Sequence, residues 1–148
     1  MLDRLIYEIA LKNGVYARGT VLYKRHRISV ELADSFVKKM IGLMHRPGIG
    51  EDEGMLFVLS SPSITMASIT MLSMRFSIDA VWLDGGMRIV DIARNLEPSR
   101  SIFDTHAPKR EAKYVLELKA GTAKRLGMKA GDRLELRLRR SPGQVTRK

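Results

Sequence analysis

Short alternating runs dominate the hydrophobic pattern of this chain. Ile28, Val30 and Leu32 alternate with Ser29 and Glu31 over Arg27–Ala33, and the preceding stretch Val15–Tyr23, rich in β formers, is broken at Arg18-Gly19. Together they predict a hairpin or two early strands. Apolar runs predict further strands over Met55–Leu59, Ile64–Leu72, Ile78–Leu83 and Met87–Ala93. Asp84-Gly85-Gly86 is read as the hairpin turn between the last two, because glycine after aspartate tolerates the positive φ such turns require. Tyr114, Leu116 and Leu118 alternate with Val115, Glu117 and Lys119, giving a strand with an apolar face. After the turn at Ala130-Gly131-Asp132, Leu134, Leu136 and Leu138 alternate with charge in a last strand.

Helical spacing is confined to short pieces. Leu2, Leu5, Ile6 and Ile9 form a stripe ended by Asn13-Gly14, predicting a helix over Leu2–Leu11 docked on the core. Phe36, Val37, Met40, Ile41 and Met44 form another stripe after a capping Asp34 or Ser35, stopped by Pro47-Gly48, and Thr122–Leu126 gives a third short helix. The acidic, glycine-rich stretch Gly48–Gly54 and the proline-bearing stretch Asn95–Lys109 read as loops, the second a long surface excursion. Ser141–Lys148 has Val145 as its single apolar residue and reads as a flexible basic tail that folding does not need.

Turns rather than crossover helices separate these strands. The fold class is therefore mainly β, a β-sandwich or barrel-like domain of about eight strands with two or three short helices. A chain of 148 residues falls within the size of one domain, taken here as residues 1–140.

Composition narrows the function classes. With no cysteine there is no disulfide, thiolate metal site or cysteine nucleophile. No run approaches the roughly 20 apolar residues of a membrane helix. Asp3 and Glu8 interrupt the N-terminal apolar pattern where a secretory signal would be uncharged, so a cytoplasmic location is expected. Gln144, Asn13 and Asn95 are the only amide side chains beside plentiful arginine and lysine, a bias that fits a thermophilic source. The net charge of +10 divides into +2 for residues 1–74 (9 basic, 7 acidic) and +8 for residues 75–148 (17 basic, 9 acidic). Such a half can meet nucleic-acid phosphates, but Phe103 and Tyr114 are its only candidates for stacking on bases, and a solvated basic face with a frayed terminus is the favoured explanation of the charge.

Several blocks carry a resemblance. Glu31-Leu32-Ala33-Asp34, Gly42-Leu43-Met44-His45-Arg46 and Glu53-Gly54-Met55-Leu56-Phe57 are followed by the run from Met74 to Asp84 and by Tyr114-Val115-Leu116-Glu117-Leu118-Lys119-Ala120-Gly121 with Gly131-Asp132. In order and spacing, over about residues 28–138, they resemble the domain-of-unknown-function-192 family. The resemblance implies a mainly β, sandwich-like domain with no established activity. Ser77 stands where that family usually has proline, and Leu72-Ser73 where many relatives carry lysine-asparagine, so a ligand that needs that pair is not bound the same way here.

The candidate chemistry is sparse. Ile78, Ala80 and Trp82 share one strand face, which leaves Asp79 beside Val81 and Leu83, partly buried and in need of a partner. Arg46 is the first choice and Arg75 the second, since an arginine can meet a carboxylate bidentately. That pair is read as fixing loops rather than as catalytic, because one carboxylate without a second positioned acid or base defines no reaction. Glu51, Asp52 and Glu53 lack the alternate spacing of a calcium loop, and His26, His45 and His106 lie in three separate segments without paired spacing. Met66, Met71 and Met74 read as adaptable core packing rather than a soft-metal site. No phosphate-loop or GxSxG pattern occurs, and nothing in the sequence requires a metal or another cofactor. The leading expectation is a non-catalytic domain holding a small polar or anionic ligand near Arg46, Glu53, Arg75 and Asp79. The alternatives are nucleic-acid association through the basic half, and a hydrolase or lyase using Asp79.

Overall fold

In a computed structural model, residues 16–139 are described. The helix expected over Leu2–Leu11 and the tail Ser141–Lys148 lie outside the described residues. Strands β1 (Arg18–Tyr23) and β2 (His26–Ala33) form an antiparallel hairpin around Lys24-Arg25. Helix α1 (Phe36–Ile41) follows; the Ser35 hydroxyl accepts the Lys38 N–H at its start, and Gly42, at φ 50, ends it. This crossover lets β3 (Glu53–Ser63) run parallel to β2. After β4 (Ile69–Thr70) come β5 (Ile78–Leu83), β6 (Ile89–Leu96) and β7 (Thr105–His106), then β8 (Ala112–Lys119), helix α2 (Thr122–Leu126) and β9 (Glu135–Leu138).

Seven strands make one mixed sheet in the order β6-β5-β8-β3-β2-β1-β9, and β4 pairs with β7 apart from it. The two ends of the large sheet meet. Ile89 N–H donates to Asp132 O at 2.8 Å, Gly131 N–H to Ile89 O at 2.8 Å and Leu134 N–H to Met87 O at 2.9 Å. The segment leading into β9 thus pairs with the start of β6, which closes the sheet on itself and satisfies backbone groups that an open edge would expose. At this seam the Tyr23 hydroxyl donates to Asp132 Oδ2 at 2.5 Å, with the Gly127 carbonyl 3.1 Å away.

Each side of the sheet carries its own core. Inside the curve lie Val21, Ile28, Val30, Leu56, Val81 and Leu116, with Ala123 and Leu126 of α2 against them. Outside it, Met55, Phe57, Ala80, Trp82 and Val115 are covered by Leu43 and by the segment from Ala67 to Met74. β5 is therefore buried at all six positions, as its nearly continuous apolar sequence requires.

Two local expectations are corrected. The strand expected over Ile64–Leu72 is reduced to Ile69–Thr70, while β3 runs on to Ser63. Serine hydroxyls divert the intervening backbone into turns: Ser63 Oγ accepts the Met66 N–H at 3.0 Å and Ser68 Oγ donates to Ile64 O at 3.1 Å. The hairpin between β5 and β6 forms as expected, but Met87, at φ 62, and neither glycine takes the positive φ. Asp84 Oδ1 holds the turn by accepting the N–H groups of Gly86 and Arg88 at 2.9 and 3.0 Å. Among the described residues no helix is long and apolar enough to cross a membrane.

Candidate functional site

The central strand β8 determines the site. Its register sets Leu116 opposite Leu56 and Val81 on the inner face, so Glu117 must point outward, opposite Met55 on β3 and Ala80 on β5. Both neighbours are fully buried, because the outer face of this sheet is not a solvent face. Glu117 is consequently only 6% exposed. It lines a cavity of about 380 Å³ whose walls are Ile41, Leu43 and Met44 at the end of α1, Phe57 and Leu59 of β3, and the segment from Met66 to Thr70.

Few polar groups line this cavity, and most are engaged locally. Ser68 Oγ donates to Ile64 O, Thr70 Oγ1 accepts the Leu72 N–H at 3.2 Å, and Lys39 Nζ donates to Val58 O at 3.1 Å. The Glu117 carboxyl makes no hydrogen bond or ion pair with a described residue. Burial in apolar surroundings, which penalises the ionised form, pushes it up from 4.5 to about 8. Methionines supply much of the remaining surface: Met74 is buried, whereas Met40 and Met66 are exposed at the rim, Met66 by 69%. The reading of Met66 as core packing is thereby corrected, while Met71 and Met74 are in the core.

Asp79 is fully buried, and its expected arginine partner is replaced by backbone donors. Its Oδ1 accepts the Asn95 N–H at 2.9 Å, and its Oδ2 accepts those of Gly121 and Ala123 at 3.1 and 2.9 Å. Gly121, at φ 93, turns the chain so that these last two N–H groups point back at β5. Three peptide donors solvate the carboxylate, which makes a guanidinium unnecessary.

The other expected site residues are dispersed. Arg46 Nη2 sits 2.7 Å from Glu31 Oε2, and its guanidinium also lies over the Tyr16 ring. Glu53 accepts the Gly50 N–H at 3.0 Å at the start of β3, and Arg75 is exposed. No hydrogen bond or ion pair joins any two of Arg46, Glu53, Arg75 and Asp79. Among the described residues no cluster of three or more histidine, aspartate or glutamate side chains is placed to hold a metal ion.

Alternation alone does not single out Glu117, because it predicts one apolar face for its strand and is silent about the other. The available signal was indirect: the apolar run of β5 announces a strand buried on both faces, and so implies cover for the outer face of its neighbour.

Comparison with known proteins places the chain among uncharacterised relatives. The family model DUF192, described as "Uncharacterized ACR", matches residues 19–136. A UPF0127 protein of Pyrococcus furiosus is 38% identical over 112 residues, covering 76% of this chain and 90% of the relative. A UPF0127 protein of Thermococcus gammatolerans is 35% identical over 70% of this chain, and the match spans 63% of that relative. Among solved structures, a Sinorhizobium meliloti protein described as a "putative transcription regulator" superposes with a TM-score of 0.74 at 30% identity, covering 84% of this chain and 97% of that one. A Novosphingobium aromaticivorans protein of unknown function gives 0.69 at 27% identity, covering 85% and 96%.

Proposed function

The chain belongs to the DUF192 family of uncharacterised proteins, and from that premise we propose that it is a non-catalytic binding domain whose small ligand occupies the cavity lined by Glu117. One observation carries this reading: Glu117, a residue only 6% exposed, turns its carboxyl, which has no hydrogen-bond partner among the described residues, toward a cavity otherwise walled almost entirely by apolar side chains. A carboxyl turned into apolar surroundings with no protein partner is partly stripped of water at a cost in free energy, which a hydrogen bond to a ligand would recover. A ligand that satisfies the carboxyl and fills the apolar space removes both deficits. The cavity lies at the lower end of the size range of small-molecule sites.

Catalysis is less well supported. Glu117 has no second acid, base or nucleophile beside it, since Lys39, Ser68 and Thr70 are committed to backbone groups. The test is a thermal-shift and NMR screen of compact organic molecules, with chemical-shift changes followed at the methyl groups of Met40, Met44, Met66 and Met74. Hits that raise the melting temperature and move those methyls are expected. Hits confined to other surfaces would refute the reading.

A second reading rests on the seam of the sheet. Lys24 and Arg133 line one open depression there, and the backbone of Arg88 pairs with that of Arg133 across the seam. Nucleic-acid phosphates would fit these cations, and one structural relative is described as a "putative transcription regulator". Oligonucleotide binding that weakens steeply with salt, and weakens further in Lys24→Ala and Arg133→Ala, would favour it over the cavity reading.

A further inference from the structure

We propose that the outer side of the molecule seats on an anionic lipid surface, with Ile102 and Phe103 entering the headgroup layer as its anchor. Phe103 is 87% exposed and Ile102 66%, and the two stand together at the tip of the loop that leads into β7. That tip is held in shape from within. Ser99 Oγ accepts the Ser101 N–H at 3.1 Å, Ser101 Oγ accepts the Phe103 N–H at 3.2 Å, and Ser101 O accepts the Asp104 N–H at 3.3 Å. Both ends of the loop are tied to the body: the Ser99 N–H donates to Met71 O at 3.1 Å, and β7 pairs with β4. Two large apolar side chains are thus kept in water by an ordered turn, at a cost in hydration that contact with an apolar layer would remove.

The rest of the exposed apolar surface lies on the same layer. Six large hydrophobic side chains are exposed among the described residues, and five of them belong to segments laid over the outer face of the sheet: Met40 on α1, Ile64 and Met66 between β3 and β4, and Ile102 and Phe103 at the tip. Leu138, at the end of β9, is the sixth. Cations accompany them. Arg100, two residues before Ile102, is exposed, as are Arg75, Lys109 and Arg110, and none of the four forms an ion pair with a described carboxylate. The exposed acids of the same excursion are Glu97 and Glu111, while Asp104 sits 3.2 Å from His106 Nε2, so the surplus around the tip is positive.

A lipid surface fits this arrangement better than a folded partner does. A stable protein contact buries about 800 Å² on each side and needs a matching shape. Two side chains projecting from a loop tip, with three more on other segments, offer separate points rather than one flat patch. A bilayer interface yields to such points: aromatic and aliphatic side chains enter the headgroup layer singly, and neighbouring basic side chains meet its anionic groups. The net charge of +10 adds a longer-range attraction to an anionic surface, which salt screens. The proposal does not depend on what the Glu117 cavity holds.

The test is co-sedimentation of the full chain with phosphatidylcholine vesicles, with and without phosphatidylglycerol, at low and high salt. The chain is expected to sediment with the anionic vesicles, several-fold less with the neutral ones, and less at high salt. Ile102→Ser with Phe103→Ser should reduce the bound fraction several-fold while the melting temperature stays unchanged, since neither side chain is in the core. Phe103→Trp keeps an anchor and reports its depth: brominated acyl chains should quench the added indole but leave the buried Trp82 unaffected. Absence of binding to anionic vesicles at low salt would overturn the proposal. So would binding that survives the double serine variant, which would be adsorption by the basic half alone, or an added indole that brominated lipid does not quench. Self-association of the parent chain that the double serine variant loses would make the tip a protein contact and overturn it equally.

Discussion

The indole N–H of Trp82 donates to the carbonyl of Ala67 at 2.8 Å. Trp82 belongs to β5 and Ala67 to the segment walling the Glu117 cavity, so a single buried hydrogen bond joins the sheet to the outer wall of the site. Both residues are essentially inaccessible to solvent, and Trp82 shares its face with Ile78 and Ala80, as its strand alternation predicts.

Trp82 is the only tryptophan, so its fluorescence reads this contact directly. Its emission is expected to be blue-shifted and resistant to iodide. Trp82→Phe should cost about 1–3 kcal/mol by orphaning the Ala67 carbonyl and leaving space in the outer core. Ready quenching of the native protein would contradict the burial found for Trp82.

Glu117 makes stability depend on pH in a defined direction. Its folded value of about 8 exceeds its ordinary 4.5, so the native state binds this proton more tightly than the unfolded chain does. Stability falls as pH rises from about 4.5 to about 8, by about 1.4 kcal/mol per unit at most, and the contribution is constant on either side. Glu117→Gln lacks that loss and should be the more stable protein at pH 8 or 9. Urea midpoints of both proteins at pH 5, 7 and 9 test this, and parallel profiles would show that Glu117 is not a buried neutral acid.

Asp79→Asn should destabilise the fold by about 1–3 kcal/mol, because an amide NH₂ turned toward three backbone N–H groups cannot accept from all of them. With no guanidinium at Asp79, its loss and that of Arg46 should be independent. In a double-mutant cycle with Arg46→Met the two effects are expected to add within about 0.5 kcal/mol. A coupling well above that would restore an Asp79–Arg46 pair.

Tyr23→Phe should cost about 1 kcal/mol at neutral pH by removing the hydroxyl from Asp132 at the seam. The Tyr23 hydroxyl holds the Asp132 carboxyl below its usual value of 3.8, so the pair stabilises the fold above that value and the contribution disappears as pH falls through the lowered one. Burial and Asp132 together push Tyr23 up to about 12, so the loss of its own proton weakens the fold only when pH passes about 10. The difference between Tyr23→Phe and the parent should therefore shrink between pH 6 and pH 2, and a constant difference would contradict the assignment.

What the sequence by itself determined was local and periodic. The hairpin of β1 and β2, the turn at Asp84, the helix Thr122–Leu126 and the inward set Val21, Ile28, Val30, Leu116 and Leu118 follow from side-chain alternation and turn chemistry within a few residues of each position. So did the burial of Trp82, and for Asp79 the apolar run indicated partial burial where the structure buries it fully. The tertiary structure decided the partners. Whether Asp79 meets arginine or peptide N–H groups depends on where α2 begins relative to β5, 42 residues apart along the chain for Gly121. Whether Glu117 faces water or a cavity depends on whether the outer face of β8 is covered, and the segment that covers it lies about fifty residues earlier. Alternation records only that a strand has two faces; what lies over each face is set by sheet order and by the second layer, which are non-local and leave no periodic trace in the chain.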